Sequence, residues 1–403
     1  MKAKTQFDSL RKLSAWFVLA TLMLSALLIP AGPAAAAATE EWVARYNGPG
    51  NSYDQANAMA VDKDGNVYVT GYSFGSSTTY YDYATVKYDP NGNLVWVARF
   101  EPGGQSYPAA IAVDGSGNVY VTGTGYPTID YATVKYDPNG NQLWVARYNG
   151  PGKSDDWAYA IAVDASGNVY VTGFSTGSGT SRDYATVKYD PNGNLLWVAR
   201  YDGPGQSDDV AYAMAVDASG NVYVTGYSVG SAATYYDYAT VKYDPNGNQL
   251  WVARYNGPGN YFDGASAIAV DASSNVYVTG YSTGLGTLQD YATVKYDPNG
   301  NQLWVARYNG PGNSDDGAHA IALDKDGNAY VTGQSTGSGT RNDYATIKYD
   351  PNGNQLWVGR YNGPGNSSDI ATAIALDGSG NVFVTGSSVG LGTGSDYATI
   401  KYK

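Results

Sequence analysis

From Trp42 onward, short runs of β-branched, aromatic and small apolar residues recur in a fixed order, each closed by turn residues. Residues 160–201 show one cycle. Ala160-Ile161-Ala162-Val163 is a small-residue strand, termed a. Val169-Tyr170-Val171-Thr172 is strand b, Tyr184 to Tyr189 strand c, and Leu196 to Tyr201 strand d. Val, Thr, Tyr and Trp dominate these runs, as they do in strands. Polar and apolar positions do not alternate strictly, which predicts strands covered on both faces.

The cycle repeats seven times. Its strand-d tryptophans are Trp42, Trp96, Trp144, Trp197, Trp251, Trp304 and Trp357, 48 to 54 residues apart. A period of roughly fifty residues built from four strands predicts one propeller blade per repeat. Six Pro-Asn-Gly turns, beginning at Pro90, Pro138, Pro191, Pro245, Pro298 and Pro351, join c to d. Proline presets the first turn angle and glycine accepts a positive φ, so each predicts a tight antiparallel hairpin. The alanines of strand a suit the crowded axis of a propeller, and the wide aromatics suit its splayed periphery.

The repeats begin at strand d (Trp42 to Tyr46) and end at strand c (Asp396 to Tyr402). Pairing those two ends would complete a seventh four-stranded blade and leave no long sheet edge. The expected fold is all-β, a seven-bladed propeller over residues 39–403, closed by that pairing.

The phrases AIAVDASGNVYVTG and DYATVKYDPNGNQLW resemble the bacterial SBBP-type β-propeller repeat, and more distantly NHL-like repeats. The resemblance covers residues 42–403. It implies an exported or cell-surface propeller, and it brings no catalytic motif to carry over. A fold of this kind does not dictate a function.

Residues 1–38 read as a secretory signal. Lys2, Lys4, Arg11 and Lys12 precede an apolar run, Leu13 to Ile29, and Ala34 to Ala38 offers small-residue cleavage sites. An uncleaved anchor is the rival reading, because 17 apolar residues approach the lower limit for a span. No later stretch could cross a membrane. With the last strand c ending at Tyr402-Lys403, no sorting segment is expected after it, so the protein should be released or loosely held at the cell surface.

Cysteine is absent, which excludes disulfides and thiolate metal sites. Four basic residues and one acidic residue leave with residues 1–38, taking the formal charge from −12 to −15. Such acidity argues against nucleic acid and anionic lipid. A monomer is expected.

Within this one chain, the a–b and c–d turns barely change between repeats, whereas the d–a and b–c loops vary. Strand order places those two sets on opposite rims, and variable loops are where binding sits. The variable rim carries Tyr53, Trp157, Tyr159, Tyr212, Tyr261 and Phe262 in its d–a loops, with Tyr107 in the second. Its b–c loops carry Phe74, Tyr80, Tyr81, Tyr126, Tyr235 and Tyr236. Aromatic faces beside carboxylates can stack on sugars or grip peptides; the same rings could simply pack on the blade ends.

An acid precedes strand a six times: Asp54, Asp156, Asp209, Asp263, Asp316 and Asp369. These could ring the channel mouth and hold a cation, or each could bond backbone N–H groups of its own turn. The turns at Asp62-Lys63-Asp64 and Asp324-Lys325-Asp326 share part of a calcium-loop pattern but lack its length and its glutamate. No cofactor is expected, calcium being the one candidate. The arginine of each strand d and the lysine of each strand c are expected between blades, paired with strand-c aspartates or laid on tyrosine rings. His319, the single histidine, falls on the variable rim near the channel mouth.

No nucleophile elbow or Ser/His pairing is visible. The leading expectation is a binding module for an extracellular glycan, peptide or envelope protein. A scaffold without a site, and a hydrolase or lyase using rim aspartates, stay open as alternatives.

Overall fold

The computed structural model describes residues 42–75, 80–101, 104–230, 235–392 and 395–403. The secretory-signal reading of residues 1–38 lies outside them. Residues Trp42–Lys403 form one compact unit of seven antiparallel sheets. Six have four strands in the order a-b-c-d, and the seventh has three. The third blade is representative: a is Asp156–Val163, b Val169–Thr176, c Arg182–Tyr189 and d Leu195–Tyr201. Among the described residues no helix is long and apolar enough to cross a membrane. The chain is an all-β, seven-bladed propeller.

The turns explain the register. Gly193 has φ +85° and closes the c–d hairpin, with Asp190 N–H bonded to the Asn194 carbonyl at 2.9 Å. A side chain at Gly193 would also strike the Trp144 ring of the preceding blade, 2.7 Å from the position of its Cβ. A bulge offsets Lys188 and Tyr189 against strand d. A second bulge interrupts a–b pairing at Thr172/Gly173, where a Cβ on Gly173 would lie 1.8 Å from the Trp157 carbonyl oxygen. Bulges of this kind twist the sheet and re-aim side chains.

The core lies between blades. Tyr120 and Tyr131 of the second blade pack with Val169, Val171, Ala185 and Val187 of the third, all fully buried. The Tyr131 hydroxyl donates to the Ala185 carbonyl at 3.0 Å, and Tyr184, Tyr238, Tyr291 and Tyr344 repeat the bond one blade onward each time. Burial on both faces accounts for the missing alternation.

The charged residues expected between blades are there. Arg200 Nη2 donates to Asp183 Oδ2 at 2.6 Å, while its Nη1 reaches the Tyr148 hydroxyl of the preceding blade at 3.1 Å. Lys188 Nζ sits 4.9 Å from the Tyr170 ring centre and donates to the Pro245 carbonyl of the following blade at 3.0 Å.

The closing pair is met on one side only. Trp42 takes the place of a strand-d tryptophan before the first blade, its indole N–H donating to the Pro90 carbonyl at 3.1 Å. Tyr46 accepts from Arg99 as Tyr148 accepts from Arg200. The ladder from residues 42–46 to the last strand c, Ser395–Tyr402, is not formed among the described residues, and that strand pairs with strand b alone. Met59 and Val61 in the first strand a are 65% and 54% exposed, whereas Ile161 and Val163 are half-buried. The seam therefore lies between the seventh and first blades.

Candidate functional site

The two rims differ in chemistry. On the constant rim, Asp164 Oδ1 accepts the backbone N–H groups of Ser166 and Asn168, both at 2.9 Å. Its Oδ2 accepts from the Asn168 amide at 2.7 Å and the Tyr170 hydroxyl at 2.9 Å. Burial alone would raise this carboxyl, but those hydrogen bonds outweigh it and hold the pKa below the usual range. The same bonds recur at Asp62, Asp114, Asp217 and Asp324, so the first aspartate of each turn that shares part of a calcium pattern accepts from its own backbone, while Asp64 pairs with Lys63 at 3.0 Å.

On the variable rim, each of the six acids before strand a bonds within its own blade. Asp156 is fully buried; its Oδ2 accepts Gly150 N–H at 2.6 Å and its Oδ1 accepts Thr176 N–H at 3.1 Å. Asp209, Asp263, Asp316 and Asp369 each take the same two kinds of bond, and Asp54 takes the first from Gly48. These aspartates are hooks that tie each d–a loop to the end of its own strand b. Of the two readings of these acids, the bonds formed are those of the second: each accepts backbone N–H groups within its own blade. Burial pushes Asp156, Asp209, Asp263 and Asp316 up, Asp209 to about 6.

One hook does meet other carboxylates. Asp183, Asp202 and Asp209 place oxygens within 4.8 Å of one another. Asp202 stands where other repeats have Asn47, Asn149, Asn256, Asn309 and Asn362. Its charge adds to burial in raising Asp209. Sequence reading passed over Asp202, although that internal comparison marks it.

The rim aromatics divide in two. Many pack on one another: Tyr159 lies 5.4 Å from Tyr212, Tyr227 lies 4.5 Å from Tyr236, and Tyr236 stacks on Phe262 at 5.4 Å between ring centres. Tyr81 likewise meets Tyr72 at 5.0 Å. Others face solvent, with Tyr53 76%, Tyr80 51% and Tyr235 53% exposed. Tyr235 and Tyr261 meet edge to face at 4.4 Å above this layer. His319 lies within strand a of its blade, Asp316–Leu323, with its side chain exposed, and desolvation at that position lowers its pKa.

The structure brings Tyr80 and Trp157 together, with Tyr107 and Tyr126, around a cavity of about 360 Å³ between the first three blades. Gln105, Thr124 and Ile129 complete its wall, and sequence reading named none of these three.

The repeat itself has relatives. The SBBP repeat, described as a beta-propeller repeat, matches residues 41–76, 95–126, 143–179, 196–231, 303–339 and 357–391, more than half of the chain. This chain belongs to the SBBP family. The SBBP unit that goes unmatched holds Ser274, at φ +61° where its counterparts have glycine. An uncharacterized WD repeat-containing protein of Acanthamoeba polyphaga mimivirus is 28% identical over 166 residues, 37% of this chain; the match spans 11% of that relative's length. Among solved structures, the β-propeller domain of the Trilobed protease from Pyrococcus furiosus, described as having an open velcro topology, is similar at a TM-score of 0.50 and 9% identity. The match covers 87% of this chain and 97% of that one, and supports the fold alone. A protein of unknown function from Bacteroides caccae aligns over 63% of this chain and 82% of its own, at 14% identity and a TM-score of 0.40.

Proposed function

We propose that this SBBP propeller is an exported binding module that holds its ligand, a glycan, peptide or envelope protein, on the d–a/b–c rim. The observation carrying this reading is the contrast between rims. One rim repeats a closed set of turn hydrogen bonds, its clefts between blades walled by charged and amide groups such as Asp164, Asn168, Lys188 and Asp217, and the other presents solvent-facing aromatic rings and an aromatic-walled cavity lined by three blades. Exposed aromatics gathered in a concave surface are the usual material of a binding site. Export rests on the basic, apolar and small-residue order of residues 1–38. The mass of the protein recovered from culture medium tests it, since removal of residues 1–38 leaves a defined shorter chain.

An array of glycans and peptides tests the rim. Binding should vanish on substituting Trp157→Ala with Tyr212→Ala and persist in Lys63→Ala and Lys325→Ala on the opposite rim. The reverse pattern would overturn the assignment. The mutual packing of Tyr159, Tyr212, Tyr227 and Tyr236 favours a second reading, a scaffold whose aromatics only fill space. A silent array would favour that reading.

A further inference from the structure

We infer that the cavity between Tyr80, Tyr107, Tyr126 and Trp157 is a site for a neutral sugar ring of a glycan. The inference rests on the rim reading above and narrows it to one place and one ligand chemistry.

The cavity lies where the repeat breaks. The second blade has Ser106 where the other six have the hooking aspartate. Ser106 Oγ donates to the Gly104 carbonyl at 3.3 Å and accepts from the Tyr126 N–H at 3.4 Å. The Arg–Asp clamp is lost there too: Arg147 donates instead to the Tyr126 carbonyl at 3.0 Å. With no side chain on Gly104, the Tyr126 ring lies against the loop backbone; a Cβ there would fall 2.2 Å from the ring. Tyr107 and Trp157 occupy one position of strand a, where the other blades have Gln55, Val210, Gly264, Gly317 and Ile370. Aromatic residues stand at this position only in the second and third blades, both of which line the cavity.

The lining selects the ligand. Its volume of about 360 Å³ is at the small end of small-molecule pockets, roughly 300–1,000 Å³. That admits a sugar ring or two and not a folded surface. Among the described residues no charged side chain lines it. Tyr107 donates its hydroxyl to the Gln105 side-chain oxygen at 3.0 Å, which leaves the amide N–H groups of Gln105 as donors. Aromatic walls with amide, hydroxyl and phenol groups match a molecule that alternates C–H faces with hydroxyls. A charged peptide would find no counter-ion, and an acidic glycan would meet a chain of formal charge −12.

The test is calorimetric and fluorimetric titration of the purified chain with three neutral hexasaccharides: β-1,4-linked glucose, α-1,4-linked glucose and β-1,4-linked N-acetylglucosamine. At least one should bind at a single site and perturb tryptophan emission. Trp157→Ala and Tyr80→Ala should each weaken it roughly tenfold, the loss of one good stacking contact. Lys325→Ala, on the opposite rim, should leave it unchanged. Tyr80 is half exposed, so its substitution keeps the test valid should Trp157→Ala impair folding. Failure of all three sugars, or binding indifferent to both substitutions, overturns the inference. Peptides that bind and are lost on Tyr80→Ala would refute the sugar while sparing the rim. Binding lost only on Lys63→Ala or Lys325→Ala would refute both.

Discussion

Trp197 donates its indole N–H to the carbonyl of Pro245, 3.0 Å away across the boundary between the third and fourth blades. Trp96, Trp144, Trp251 and Trp304 make the same bond one blade onward. Replacing Trp197 by Phe keeps most of the packed ring and deletes the donor. Chemical denaturation should show a loss of about 1 kcal/mol, the usual worth of one such bond. Trp197→Ala should cost about 3–5 kcal/mol, as removal of a large packed aromatic does. Equal losses in the two variants would mean that the hydrogen bond, and not the ring, holds the joint.

The Arg–Asp clamps should be far less tolerant. Arg307 Nη2 lies 2.9 Å from Asp290 Oδ2, and Asp290 is only 4% exposed. Arg307→Gln strands a buried carboxylate, and the expected cost is on the order of 3 kcal/mol. The double variant Arg307→Gln/Asp290→Asn should recover part of it. A single variant that melts like the parent would show the clamp to be dispensable.

Stability should peak in mildly acidic solution. Burial raises the hook carboxyls Asp156, Asp209, Asp263 and Asp316 above their ordinary value. A raised carboxyl stabilises the fold below its unfolded pKa, about 3.9, and that contribution is lost as pH rises through the folded value. For Asp209 the folded value is about 6. The turn carboxyls of Asp164 and Asp217 behave oppositely. Burial opposes them, but hydrogen bonds hold them low, so their contribution is present above about 3.9 and lost as pH falls through the folded value. The melting temperature should therefore rise from pH 7 to pH 5 and drop below about pH 3.5. Asp202→Asn, which restores the residue of five other repeats, should flatten the fall between pH 5 and pH 7. It should gain on the order of 0.5 kcal/mol at pH 7, since Asp202 is exposed and its repulsion is screened. A parent whose stability climbs steadily from pH 5 to pH 8 would contradict this account.

The seam can be probed by cross-linking. In the third blade Thr186 lies opposite Ala199 on the neighbouring strand. The corresponding pair across the seam is Thr399 and Ala44. If residues 42–46 zip onto the last strand c, the variant Ala44→Cys/Thr399→Cys should form an intramolecular disulfide under mild oxidation and resist unfolding. Deleting residues 39–48 should lower stability and favour dimers through the strand that carries Tyr397, which is 94% exposed. No disulfide, together with an unchanged melt of the truncated chain, would leave the seam unpaired.

The fold was readable because each blade repeats its own instructions. Trp197, Pro191-Asn192-Gly193 and the small strand around Ala160 recur in order, and local chemistry of that kind needs no tertiary context. The role of the hooks was readable only as one of two alternatives. Whether Asp156 faces the axis or its own loop depends on the chain curling back to offer Gly150 N–H, and that path is set by loop packing. The group formed by Asp183, Asp202 and Asp209 was hidden because its members come from two strands and a loop in two blades. The cavity was legible in part: Tyr80 and Trp157 stood out as rim aromatics, but only the structure seats them with Gln105, Thr124 and Ile129.

Between neighbouring wedges, indole, phenol and ammonium groups of one reach forward to the carbonyls of the next, and the arginine of the later one reaches back to a tyrosine hydroxyl of the earlier. Each wedge thus carries both a plug and a socket. Duplication or loss of a whole unit in the gene would leave all surviving joints intact and change only how many wedges must fit around the axle. A chain assembled this way can lengthen by copying, and then acquire a ligand by spoiling a single copy, as the second wedge has been spoiled here.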